Sequence, residues 1–237
     1  MFKRRKTLKL NKKIKLEENN KTYERIRSDE KDESINSKVK KKPNQLASYI
    51  DQHFIFNTLN GLLALCRDDS EKARKVVLEL SNYLRFNFNI TDEVVFLYEE
   101  IEYIKAYLYI QKVRFGERLN IKYDIKGDIN FLIPKNSLYN LIDNAVNHGI
   151  LKKNQGGTIT FIVKRDKEKI SIKIEDDGVG IEEKQVMQIL SNENFGSIST
   201  SNSQYNALYN TEMEIITELY KGTYITLNIP IENIKHE

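Results

Sequence analysis

Cysteine is almost absent from this 237-residue chain, where Cys66 stands alone. A disulfide framework and a thiolate metal cluster are thereby excluded, and a reducing, cytoplasmic setting is expected. Long apolar runs are lacking as well. No stretch reaches the roughly 18 apolar residues that a membrane span needs. Phe2 with Leu8 and Leu10 is too thinly apolar for a signal-peptide core, so neither membrane insertion nor export by that route is expected. Basic residues are scarce where a nucleic-acid surface would need them. The net charge is only +4, and Lys3, Arg4, Arg5, Lys6, Lys9, Lys12, Lys13 and Lys15 all precede the first acid, Glu17. Beyond that tail the chain is close to neutral, which argues against nucleic acid as a partner of the folded domains. No recognisable sensor domain is present either.

What is present suffices for a core: 40% of the residues are hydrophobic, and the length allows one large or two small domains. Residues 1–42 are polar and charged, and read as a basic, solvated, disordered arm whose charge suits weak contact with an anionic membrane surface or RNA. Pro43 suits a first helical turn. A helix then runs through His53 to about Cys66, with Ile55, Phe56, Leu59, Leu62, Leu63 and Cys66 on one apolar stripe. His53 lies roughly 120° from the centre of that stripe and shares its polar face with Asn57 and Asn60. Arg67 to Ser70 forms a turn, and Val76, Val77, Leu80 and Leu84 mark a second helix ending near Asn89. The pair should form a hairpin that buries its stripe by dimerising into a four-helix bundle. A third helix carries Leu97, Ile101, Ile104, Leu108 and Phe115 and ends at Gly116.

From there the period changes. Ile121 to Ile125, Thr158 to Val163, Ile170 to Glu175 and Tyr224 to Ile229 alternate as strands. Helices are expected over Pro134 to His148, Glu182 to Leu190 and Tyr205 to Tyr220, with Ser191 to Gln204 a polar mobile loop. Mixed strands and helices describe an α+β fold. The expected organisation is an arm at 1–42, a helical dimerisation region at 43–116 and an α+β domain at 117–237.

Two constellations in that domain carry chemistry. Asn140 and Asn144 share a helical face, as do Asn144 and His148, and amide oxygens so arranged suit a magnesium ion that keeps its phosphates and waters. Asp176-Asp177-Gly178-Val179-Gly180 follows an alternating strand, so that a carboxylate can accept from an adenine amino group while glycines let the backbone approach a ligand.

Together with His53-Phe54-Ile55-Phe56-Asn57-Thr58-Leu59-Asn60, these segments resemble the sensor histidine kinases of the LytS/YehU type, as do Glu100 to Gln111 and Arg114 to Leu119. The resemblance covers about Leu46 to Ile231. It implies an α/β-sandwich GHKL (Bergerat-type) ATP-binding domain behind the dimeric bundle. It further implies autophosphorylation of His53 from ATP and Mg²⁺, assisted by Asn57, and transfer to an aspartate of a response regulator receiver domain. By the same resemblance Asn144 and Asn140 hold the metal, while His148, Asp176, Gly178, Gly180 and Asn210 belong to the nucleotide site. The family pattern departs at Gln52, Asp143 and Asn147. Its second glycine box is matched most nearly by Tyr205 to Asn210, with both glycines replaced, and no room is expected for an extra strand before Gly222-Thr223. A degenerate lid, and a phosphotransfer or regulatory protein without ATP turnover, is the competing expectation.

Overall fold

The computed structural model describes residues 51–88, 93–127, 129–190 and 196–233, which fall within one compact unit, Leu46–Glu237. The basic arm and the Pro43 helix entry lie outside the described residues. Helix α1 (Gln52–Asp68) opens on Asp51, whose carboxylate accepts from the Phe54 amide at 3.1 Å and satisfies one of the free donors of the first turn. It is followed after Asp69 by α2 (Ser70–Phe88). The face of α1 that meets the rest of the chain is not the expected stripe. Phe54 and Thr58 are buried, whereas Phe56 is 64% exposed, Leu63 is 69% exposed, and Leu59 and Cys66 are also exposed. Aromatic contacts decide this orientation: the Phe54 ring lies 4.7 Å from Tyr83 and 5.4 Å from Tyr107, centre to centre.

Strand β1 (Val94–Phe96) leads into α3 (Leu97–Phe115), which is buried along most of its length and stops where Gly116 turns to φ 57°. Strand β2 (Leu119–Lys126) follows. Next comes β3 (Leu132–Pro134), which pairs antiparallel with β1, so Pro134 ends a strand and does not begin a helix. Helix α4 (Ser137–Asn144) starts after Asn136 at φ 62° and continues as a wider π-type turn over Ala145–Ile150. Its first amides are capped from another element: Glu100 of α3 accepts from Leu138 and Tyr139 at 2.7 and 3.0 Å.

Strands β4 (Gly157–Arg165) and β5 (Lys169–Asp176) bracket a turn, and α5 (Glu183–Leu190) follows. Helix α6 spans Gly196–Tyr209, in the region expected to be a loop; residues 191–195 lie outside the described set. The helix ends at Asn210, at φ 50°. Strand β6 (Glu214–Glu218) then forms a hairpin with β7 (Gly222–Pro230). The expected helix to Tyr220 is therefore only its first turn, and the extra strand for which no room was expected is β6.

The main sheet has the order β2-β4-β5-β7-β6, parallel between β2 and β4 and antiparallel elsewhere. Its alternating residues Ile159, Phe161 and Val163, with Ile170, Ile172 and Ile174, and with Ile225, Leu227 and Ile229, are all buried on one face. They join one core with Leu141 and Val146 of the α4 segment, Tyr205 of α6, and Phe54 and Tyr83 of the first two helices. The architecture is thus a helical region followed by an α/β sandwich.

Candidate functional site

A cleft of about 720 Å³ opens between the α4 segment, the β5 end, α5 and the start of α6. Asn144, His148, Asp176 and Gly180 all line it. Four of the residues singled out from the sequence, from two separate segments of the chain, are thus brought to one place.

Asp176 sits at the end of β5 and is buried. Burial pushes its carboxyl up to about 6, against the amides of Gly178 and Thr223, which donate to it and favour the charge. The Gly178 amide lies 2.8 Å from Oδ1. Gly178 itself does not line the cleft; it stands behind the carboxylate, where a Cβ would collide with the backbone of Gly149. Gly180, at φ 74°, faces the carbonyl of Glu218 where its own side chain would be. These two glycines therefore let the β5 turn pack on the α4 segment and on the β6–β7 hairpin.

Asn144 is held by its amide nitrogen, which donates to the carbonyl of Asn140 at 2.6 Å and to the hydroxyl of Ser197 at 2.5 Å. With both donor hydrogens engaged, the oxygen is the atom left to a ligand, the polarity a hard cation requires. Asn140 contributes its carbonyl to this arrangement and is not a lining residue. Among the described residues no cluster of three His, Cys, Asp or Glu side chains could hold a metal ion. A magnesium site here therefore depends on the amide oxygen together with the ligand's own oxygens, and the donor set fits that use.

The segment placed across the cleft is Gly196, Ser197 and Ile198, at the N-terminus of α6. Tyr205 to Asn210 is not: Tyr205 is buried with its hydroxyl accepting from Ser137 at 3.0 Å, and Asn210 closes the far end of the helix. The expected assignment of Asn210 to the nucleotide site is accordingly corrected, and the side chains replacing glycine at 205–210 do not obstruct the cleft. The sequence pattern hides this helix because half of its buried face, Ser199, Ser201 and Asn202, is small and polar. Ser201 donates to the Ser137 carbonyl at 2.9 Å, and Asn202 accepts from the Met213 amide at 2.8 Å.

His53 is exposed near the start of α1 and does not line the cleft. The amide nitrogen of Asn57 lies 3.0 Å from its Nδ1 and 3.3 Å from its Nε2, while Asn60 is exposed. A physical path nevertheless joins this helix to the cleft. Phe54 packs on Tyr107, whose hydroxyl donates to Asp143 at 2.6 Å, and Asp143 precedes Asn144. Asn147 also donates to Asp143, at 2.8 Å. Burial raises the Asp143 carboxyl, the charge of His148 on the cleft lowers it, and that of Asp51 at the head of α1 raises it again. In the sequence Asp143 and Asn147 stand out only as departures from the family pattern. Their partnership with Tyr107, 36 residues from Asp143 and 40 from Asn147, has no local signal.

An asparagine-bearing helix, an aspartate at a strand end and glycine turns thus wall one cleft. Residues 42–119 match the model of the histidine kinase family, and residues 132–233 match that of the histidine kinase-, DNA gyrase B-, and HSP90-like ATPases. Among curated relatives, YwpD of Bacillus subtilis is 39% identical over 66% of this chain and 58% of its own length. The sensor histidine kinase YpdA of Escherichia coli is 33% identical over 78% of this chain and 33% of its own length. The sensor protein LytS of Staphylococcus haemolyticus is 30% identical over 81% and 34%. The chain therefore spans between about a third and somewhat over half of these relatives. It belongs to the sensor histidine kinases of the LytS/YehU type. Among the described residues no helix is long and apolar enough to cross a membrane.

Proposed function

We propose that this chain is an ATP-dependent protein histidine kinase, working as a cytoplasmic homodimer, that phosphorylates His53 and passes the phosphoryl group to an aspartate on a response regulator receiver domain. The observation that carries the reading is the pairing of an exposed, amide-contacted histidine with a nucleotide cleft through the Phe54–Tyr107–Asp143 contacts. In this reading Asp176 accepts from the adenine amino group, and the N-terminus of α6 with Ser197 receives the phosphates. The Asn144 oxygen would hold Mg²⁺, which supplies neutralisation of phosphate charge when bound.

The chemical step is in-line transfer. A ring nitrogen lone pair of His53 forms a bond to the γ-phosphorus as the bond to the ADP oxygen breaks, and the proton on the other ring nitrogen then passes to solvent. Asn57 sets which nitrogen is free. With its amide nitrogen toward Nδ1 the ring proton belongs on Nε2; turned by half a rotation, its oxygen accepts from Nδ1–H and leaves the Nε2 lone pair exposed.

Phe56 and Leu63 share one face of α1 and are exposed, as is Val77 on α2, which supports burial against a second copy. Gly196 and Ser197 line the cleft and Tyr205 to Asn210 do not, which favours this reading over that of a degenerate domain. The nucleotide half of the proposal is tested by thermal unfolding with and without Mg²⁺-ATP. A rise in Tm in the wild type that Asn144→Ala abolishes supports it; no rise in the wild type refutes it.

A further inference from the structure

Tyr220 occupies a position that costs the fold something and that the mechanism above leaves unused. Among the described residues, three that are not glycine adopt a left-handed backbone: Asn136, Asn210 and Tyr220. Asparagine tolerates this conformation, but a bulky aromatic residue rarely adopts it. The strain is not repaid by burial, since Tyr220 is 80% exposed.

Its backbone is nonetheless fixed. The Tyr220 amide donates to the Val179 carbonyl at 2.7 Å, and the Lys221 amide to Glu218 at 3.0 Å. Gly180 and Gly222 admit the turn, with Glu218 backbone against the first and the Asp176 carbonyl against the second. Thr223, two residues beyond Gly222's neighbour Lys221, pairs in register with Asp176 across β5 and β7. The turn is thus locked beside the carboxylate at the base end of the cleft, and Tyr220 lines the cleft from there.

We infer that the Tyr220 ring stacks on the base of a purine nucleotide held by Asp176, and so is a binding residue of that site. The inference rests on the nucleotide reading above. An exposed aromatic ring on a rigid turn offers a flat apolar face at small entropic loss, and stacking on a base is tolerant of the base's identity. The affinity contribution is therefore directed at the base and not at the phosphates.

The test uses the full chain, titrated with Mg²⁺-ADP and with Mg²⁺-tripolyphosphate as a probe lacking the base. Tyr220→Gly fits the left-handed turn without strain, and Tyr220→Asn is a second variant suited to the same conformation. Both are expected to fold, to melt no lower than the wild type and to bind ADP roughly tenfold more weakly, while Tyr220→Phe keeps wild-type affinity. Tripolyphosphate binding should be the same in all four proteins. ADP affinity unchanged in the glycine and asparagine variants would overturn the inference alone, as would an equal loss for tripolyphosphate. Failure of the wild type to bind ADP would overturn the nucleotide reading and this inference with it.

Discussion

Asp176 and Glu100 are both buried carboxyls, and their surroundings give them opposite uses. The Asp176 carboxyl is raised to about 6 and remains mostly ionised at neutral pH, as an acceptor for an amino group should be. Nucleotide affinity should therefore be flat above pH 7 and weaken severalfold between pH 7 and 5, which titration calorimetry with Mg²⁺-ADP across that range will show. Glu100 is fully buried and raised to about 8 by desolvation, against the pull of the α4 amides that it caps. Its second oxygen has no hydrogen-bond partner among the described residues. At neutral pH the folded protein holds this proton while the unfolded chain has released it. The contribution to stability is therefore complete below the unfolded value of 4.5 and declines as pH rises to about 8. Glu100→Gln keeps the acceptor for Leu138 and Tyr139 and carries no charge. Its advantage over the wild type in urea unfolding should grow between pH 5 and pH 8, and an advantage independent of pH would contradict this account.

At the scale of the element, α6 shows what a pattern can and cannot reveal. The helices α2 and α3 and the strands β4, β5 and β7 bury apolar side chains at regular intervals, so periodicity finds them directly. In α6 the buried positions are Ile198, Ser199, Ser201, Asn202, Tyr205 and Tyr209, but three of the six are small and polar, and Ser201 and Asn202 find their partners far away in the chain. A local reading scores them as loop residues. The consequence reaches the site, because the family's second glycine box is matched most nearly at Tyr205 to Asn210, whereas Gly196 is the glycine of this segment that lines the cleft. The same limit hid β6, whose partner β7 lies after the turn at Tyr220, and the short β1–β3 pair. Asn144, His148 and Asp176 were legible because each carries its chemistry within a short segment. Asn202→Ala leaves the buried Met213 amide without its acceptor and should cost about 1–3 kcal/mol in denaturant unfolding.

At the scale of the whole molecule, one core runs from Phe54 to Ile229, so the first helices are packed on the ATPase domain and not merely tethered to it. The aromatic set of Phe54, Tyr83, Tyr103, Tyr107 and Tyr139 makes that junction. The face left over, with Leu63 and Phe56 exposed, is the one assigned to a second copy. Leu63→Glu should convert the dimer to a monomer in light scattering while leaving the melting of each protomer's core largely intact. A wild-type protein that is monomeric at every concentration would remove the dimer from the proposal.

Phosphorylation of His53 by the nucleotide of this cleft is tested most directly by incubating the purified chain with γ-labelled ATP and Mg²⁺ beside His53→Ala and Asn144→Ala. The account predicts acid-labile, alkali-stable label on the wild type and none on either variant. A folded wild-type protein that binds ATP but acquires no label, or label that persists in His53→Ala, would contradict it.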